Sequence, residues 1–137
     1  VLDLLEPGFG ERILLEVRTM RQKAETMRGA LLDPNTAAIT VVTIPEKAAV
    51  EESRRLIDTV ESHGVSVSTI VINHVMPDCD CRFCKDKKAS QISYIDHLRR
   101  SYKDKDIVIL PDYGGEVKGE GLMKVARDLC NRERVPV

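Results

Sequence analysis

The sequence lacks several features that are typical of particular classes of protein. It contains no tryptophan, its aromatic content is 4%, and its formal net charge is -1, so its composition does not indicate a nucleic-acid partner or a membrane surface. No apolar run reaches the roughly 20 residues that cross a bilayer. The first residues show no basic region and no cleavage-site pattern, so they do not resemble a signal peptide. No GxxxxGK[ST] motif occurs, which excludes the usual phosphate-binding loop from this stretch of chain.

What is present is the composition of an ordinary globular domain. The 137 residues are 42% hydrophobic and 31% charged, enough to bury one real core. The four cysteines, at positions 79, 81, 84 and 130, come without a secretory signal, which favours a reducing compartment such as the cytoplasm. The chain starts with valine rather than methionine, so we expect it to be part of a longer protein.

Apolar periodicity predicts an α/β fold. One amphipathic helix is expected over residues 11–32, ended by Asp33-Pro34. Strands are expected over 39–44, 67–73 and 106–110, alternating with helices over 48–63, 87–102 and 120–132. The first two strands do not alternate, so we predict a partial parallel sheet, buried on both faces by flanking helices.

The inward positions predicted for two of these helices follow from the same periodicity. In the helix over 48–63 they include Leu56 and Ile57. In the last helix, Cys130 follows Val125 and Leu129 and is predicted to be a core residue.

Cys81 and Cys84 form a CxxC pair, predicted to lie in a loop over residues 74–86. Two thiolates at this spacing supply half of a tetrahedral zinc site. The other half would come from a second copy of the chain, or from Cys79 with His74 or His97 in the same chain. A redox pair and two incidental solvent-facing thiols are the alternatives.

Several polar residues follow the predicted strands, at the edge where parallel sheets bind ligands. Asn73 could pair with a nucleobase edge, or it could cap its own backbone in a turn. Pro111, Asp112 and Tyr113 open a glycine-containing loop that could approach a ligand or simply connect strand to helix. Glu46 could meet a cation or a sugar hydroxyl, or could be an acid favoured in the first turn of a helix.

Five separated motifs in these regions together resemble one family. The chain is similar to the C-terminal part of the arsenite-pump ATPase family, which includes the ATPases that deliver tail-anchored membrane proteins. The order and spacing agree over residues 11–130, and the matching text is Val42 to Glu46, Glu51 to Leu56, Ile70 to Asn73, the Cys81–Cys84 pair, and Leu110-Pro111 followed by Gly115 to Gly119.

This resemblance implies a deviant P-loop ATPase that works as a homodimer. Residues 1–35 would then belong to a helical subdomain that shelters the hydrophobic segment of a client, and residues 36–137 to the nucleotide-binding α/β domain. It implies adenine contacts from Asn73, Pro111, Asp112 and Tyr113, and a place for Glu46 near the nucleotide at the subunit interface. It also implies a zinc on the dimer axis, held by Cys81 and Cys84 of each subunit.

The implied cofactors are ATP, with magnesium in the full-length relatives, and the shared zinc. The implied partners are the transmembrane segments of client proteins, or a membrane pump or receptor. The family's phosphate-binding loop and switch regions have no counterpart here, so this chain alone is expected to hydrolyse no ATP.

Three alternative functions stay open at this stage. One is an arsenite-efflux pump subunit, although the pump's arsenite-binding cysteines are not seen as a group. The others are a zinc-clasped dimerisation module without nucleotide, and a redox-switched chaperone.

Overall fold

A computed structural model describes residues 8–78 and 80–130 of the chain. It divides into two compact units, with the boundary between Ala37 and Ala38. Within the described ranges, no helix is both long enough and apolar enough to cross a membrane.

The first unit consists of one long helix, α1, over Phe9–Leu32. It begins two residues earlier than predicted, after Gly8 in the left-handed conformation at φ 90°. It ends at Asp33 as predicted, where the side chain accepts the backbone N–H of Asn35 at 2.9 Å. No residue of α1 is buried, and its predicted apolar stripe is exposed, including Met20 and Met27 at 68% each.

The second unit is a three-stranded parallel sheet flanked by helices, which confirms the predicted fold class. The elements in chain order are β1 (Ile39–Thr43), α2 (Lys47–Ser62), β2 (Val67–Val75), α3 (Arg82–Ser101), β3 (Asp106–Pro111) and α4 (Glu120–Cys130). The sheet order is β1-β2-β3, with both pairs parallel. Sequential order in a parallel sheet requires a crossover after each strand, and α2 and α3 supply these crossovers.

The core lies between α2, α3 and one face of the sheet. Ile57 of α2 and Ile95 and Leu98 of α3 are almost fully buried against the sheet residues. The sheet contributes side chains that share one face through the register pairs Val41↔Ile70 and Thr43↔Ile72. Burying branched side chains of this size supplies the main stabilising term of such a small unit.

Two predictions about burial were wrong, and both concern the same edge of the unit. β1 is buried on one face only: Val41 and Thr43 pack against the core, whereas Val42, on the other face, is 63% exposed because no described element covers it. Leu56, predicted to face inward, is 49% exposed, whereas its neighbour Ile57 is fully buried. The helix therefore turns Val50, Ser53 and Ile57 toward the sheet.

The boundaries around the cysteine pair also differ from the prediction. α3 begins at Arg82 rather than near residue 87, so Cys84 belongs to its first turn and not to a loop. The stretch 82–86 contains neither proline nor glycine, so nothing in it interrupts a helix. Arg82 Nε lies 4.0 Å from Asp86 Oδ2, an ion pair at the i, i+4 spacing of a helix. β2 is longer than predicted and continues two residues beyond Asn73, to Val75.

α4 packs against β3 but buries none of its residues. Cys130, predicted as a core residue, is exposed. The reason is that no described element covers the face of α4 that presents Leu122, Met123 and Leu129, which are 57%, 63% and 41% exposed.

Candidate nucleotide edge and cysteine pair

The ends of β2 and β3 are joined at the carboxyl edge of the sheet. Val75 pairs with Pro111, and the backbone N–H of Asp112 donates to the carbonyl of Val75 at 2.8 Å. His74 Nδ1 lies 3.6 Å from Asp112 Oδ2 across the same junction. The structure therefore brings Asn73, Pro111 and Asp112 to one end of two neighbouring strands.

Asn73 is half-buried, and its side chain already has a local partner. Its Oδ1 accepts the backbone N–H of His74 at 2.9 Å, although Asn73 lies within β2 and not in a turn. The Nδ2 donors of the same amide take no part in that bond. His74 itself has φ 56°, a left-handed conformation that a non-glycine residue adopts only when its surroundings enforce it.

Asp112 is held as a carboxylate by its surroundings. Its Oδ1 accepts the backbone N–H of Gly114 at 2.9 Å, and Gly114 has the positive φ of 77° that this turn requires. This backbone hydrogen bond, together with the hydrogen bond and charge of His74, lowers the pKa of Asp112. The carboxylate stabilises its own loop and faces His74.

Tyr113 points its hydroxyl at α4. The Oη atom donates to Asp128 Oδ2 at 2.8 Å, and Lys124 Nζ lies 5.4 Å from the ring centroid. Burial and the hydrogen bond to Asp128 raise the pKa of Tyr113 to about 12. The hydroxyl of Tyr113 is therefore already hydrogen-bonded within the fold, and its half-buried ring is the part available to contact a ligand.

Glu46 lies at the end of β1, at the far side of the sheet from β3. It is exposed and is the N-cap residue of α2, with extended backbone and no hydrogen bond from its side chain to the helix. An open groove of about 420 Å³ lies between β1 and α2, but Glu46 does not line it; the lining residues are Val42, Thr43, Ile44, Ala49, Glu52, Ser53 and Leu56. No described contact joins Glu46 to the edge formed by Asn73 and Asp112.

Cys81 and Cys84 occupy the first turn of α3. Cys81 is the N-cap residue, and its Sγ accepts the backbone N–H of Cys84 at 3.2 Å. A helix N-terminus stabilises a thiolate, because the unpaired backbone N–H groups and the helix dipole favour negative charge. Cys81 is exposed and Cys84 is half-buried, so both sulfurs lie close to the surface at one helix end.

The donor set around this pair fits half of a zinc site. Within residues 8–78 and 80–130, no group of three or more His, Cys, Asp or Glu side chains is placed to hold a metal. His97 lies thirteen residues beyond Cys84 on the same helix, about 20 Å along its axis, which is too far for a common ion. Cys79 lies outside the described residues. The described residues thus supply two thiols at CxxC spacing, half of the four ligands that a zinc ion takes.

One residue near this edge was not predicted from the sequence. Gln91 of α3 is 4% exposed and bonds to the backbone of both His74 and Met76. It lies four residues before Ile95 and seven before Leu98, so it occupies the inward stripe of the helix. A polar residue at such a position signals a buried partner and could have been recognised from the sequence.

Known proteins with similar sequences identify the family to which this chain belongs. The model of the anion-transporting ATPase family matches residues 5–131. Similar proteins include ATPase ASNA1 homolog 2 of Paramecium tetraurelia, 29% identical over 88% of this chain and 38% of its own length. ATPase get3 of Neurospora crassa is 27% identical over 85% of the chain and 38% of its own length.

A third relative matches nearly the whole chain. ATPase GET3 of Lachancea thermotolerans is 26% identical over 95% of this chain. The chain spans about 39% of that relative's length, so it corresponds to well under half of each of these ATPases. The resemblance drawn from the five motifs is confirmed, and the chain belongs to the anion-transporting ATPase family.

Proposed function

We propose that this chain is the part of a dimeric membrane-protein-targeting ATPase that contacts the base of ATP and clasps two subunits through zinc. The supporting observation is the junction of β2 and β3, which brings Asn73, Pro111 and Asp112 to one edge within a chain of this ATPase family. That edge lies outside the carboxyl ends of parallel strands, where ligands of such sheets bind.

The nucleotide is bound at this edge through its base. Asn73 presents its Nδ2 donors, Pro111 and the ring of Tyr113 supply apolar surface, and Asp112 holds the loop through Gly114. Glu46 acts separately, near the nucleotide at the subunit interface. The phosphates and magnesium would be held by the phosphate-binding loop of the complete ATPase, so the isolated chain binds nucleotide weakly and does not hydrolyse it.

The zinc is shared between two copies of the chain. Cys81 and Cys84 of each copy supply its four sulfur ligands, which accounts for the two-sulfur half-site at the start of α3. Bound in this way, zinc joins two helix ends and adds its binding free energy to that of dimer formation.

α1 contributes to the binding of the client. Its apolar stripe is exposed along the whole helix, from Ile13 at 43% to Leu31 at 52%. An exposed apolar face of this length suits the transmembrane segment of a membrane protein, because both partners remove apolar surface from water.

Native mass spectrometry of the purified chain tests the shared zinc directly. We expect a dimer that carries one zinc and that falls to a monomer on chelation or in a Cys81→Ser variant. Cys130→Ser is the matched control, since this exposed cysteine lies on α4 and should leave the dimer unchanged. A monomer that retains its own zinc would reject the shared site.

A redox-switched chaperone is the second candidate, and the position of Cys81 favours it. A cysteine at a helix N-terminus is easily deprotonated, and the thiolate is the form that an oxidant attacks. With peroxide as oxidant, the two thiols would lose two electrons and two protons to form one disulfide, and the peroxide would be reduced to two waters. Oxidation that leaves both zinc content and client binding unchanged would rule this function out.

A further inference from the structure

Gln91 holds the segment that follows Asn73 by both ends of its side-chain amide. Its Oε1 accepts the backbone N–H of Met76 at 2.7 Å, and its Nε2 donates to the carbonyl of His74 at 3.2 Å. Gln91 is 4% exposed, whereas Met76 is half-buried and His74 is exposed, so its buried side chain reaches two backbone groups that are partly shielded from water. A neutral amide can donate and accept at once, as a backbone peptide does.

The segment needs such a partner because the β ladder is interrupted there. The pairing of β2 with β3 runs regularly from Thr69 to Ile72, then shifts, and resumes only with Val75 opposite Pro111. His74 lies within the interruption in a left-handed conformation. Gln91 therefore supplies from α3 the hydrogen bonds that a regular neighbouring strand would otherwise supply.

We propose that Gln91 is a positioning residue for the nucleotide edge. By fixing His74 and Met76 it fixes the course of the chain directly after Asn73, and hence where Asn73 lies beside Pro111 and Asp112. Gln91 belongs to α3, the helix that Cys81 caps and whose first turn contains Cys84. Its hydrogen bonds therefore also connect the helix of the cysteine pair to the segment that follows Asn73. The role deepens the proposed function and rests on it for the identity of the ligand.

A role through hydrogen bonds can be distinguished from a role in packing by a substitution that removes the polar groups of Gln91 and keeps its volume. Methionine has nearly the same shape and volume but neither the donor nor the acceptor. Gln91→Met would therefore keep the contacts of the α3 stripe while removing the side-chain partner of the Met76 N–H and of the His74 carbonyl. Glutamate would keep the acceptor for Met76, and at this buried position, which disfavours a carboxylate, its protonated form would also keep a donor for His74.

The test is amide hydrogen exchange by NMR on the full chain, labelled with ¹⁵N, in the wild type and in Gln91→Met. We expect the protection of the Met76 amide to fall about tenfold, the equivalent of one hydrogen bond. Protection at Ile70–Ile72 in the regular part of β2 should not change. Gln22→Met is the matched control, because Gln22 is exposed on α1.

Gln91→Glu is the second variant and keeps the test decisive if Gln91→Met folds poorly. It should retain the protection of Met76. The proposal is overturned if Met76 protection is unchanged in Gln91→Met, if it falls together with that of Ile70–Ile72, or if Gln91→Glu loses it as completely as Gln91→Met.

Titration of the same samples with ADP separates this inference from the proposed function. Weak binding should shift the amides of Asn73 and Asp112 in the wild type and weaken about tenfold in Gln91→Met. If the wild type shows no shift even at millimolar ADP, base binding by this chain is rejected. The exchange data alone then decide whether Gln91 positions the edge.

Discussion

Tyr113 donates a hydrogen bond from its hydroxyl to the carboxylate of Asp128 at 2.8 Å. The bond joins the loop after β3 to α4, so it links the candidate nucleotide edge to the last described helix. Burial and this carboxylate raise the pKa of Tyr113 from 10.0 to about 12. The pair therefore provides a measurable signal for the geometry of the edge.

We expect Asp128→Asn to lower the pKa of Tyr113 toward its ordinary value, because the variant removes the negative charge that opposes tyrosinate. The contribution to stability has a definite sign. The folded pKa is above the unfolded one, so the stabilisation is complete below about pH 10 and is lost as the pH rises through about 12. NMR of ring-labelled tyrosine can follow each ring separately.

Tyr102 is the internal control in that titration. Its pKa is also raised, first by burial and then by the charge of Asp58, so Asp128→Asn should not move it. If Tyr113 titrates at the same pH in both proteins, the bond to Asp128 does not govern its ionisation.

Two adjacent residues of α2 should differ sharply in their effect on stability. Ile57 is fully buried against the sheet, and Ile57→Ala should lower the free energy of unfolding by about 2–5 kcal/mol because it leaves a cavity. Leu56 is 49% exposed, and Leu56→Ala should cost less than about 1 kcal/mol. Urea unfolding of both variants measures the difference.

If Ile57→Ala does not fold, Ile57→Val replaces it, with an expected loss of about 0.5–1.5 kcal/mol. Equal losses for Ile57 and Leu56 variants would contradict the orientation of α2, since the helix would then not place one inward and the other outward.

The exposed methionines of α1 should affect client binding without affecting the fold. Met20 and Met27 are each 68% exposed, so a double Met→Gln variant loses little packing. Its affinity for an apolar helical peptide of about 20 residues, a stand-in for a transmembrane segment, should fall about tenfold or more. Fluorescence anisotropy of the labelled peptide measures the affinity, and thermal unfolding should be unchanged.

Arg18→Gln is the control for this double variant, because position 18 lies on the opposite side of α1 from Met20 at about 100° per residue. A similar loss in the control would show that charge, and not the apolar stripe, holds the peptide.

The sequence predicted the number and type of the described helices and strands, but several of their first and last residues were predicted wrongly. Continuous apolar runs and amphipathic stripes predicted the strands and helices of the described residues, because a strand buried on both faces is apolar throughout and a helix buried on one face repeats about every 3.6 residues. The start of α3 was misplaced because charged residues 82–86 were interpreted as a loop. The helix begins there because the Sγ of Cys81 caps it locally by accepting the backbone N–H of Cys84, and cysteine is not one of the residues usually expected at an N-cap.

The α/β order, the five family motifs and the residue types available for chemistry can be read from the amino-acid sequence alone. Which of these residues meet depends on tertiary packing, since contact between Val75 and Asp112 or between Gln91 and Met76 joins strands and helices that are separated along the chain. It also decided that Val42 and Cys130 are exposed, because burial depends on what covers a residue and not on its own hydrophobicity.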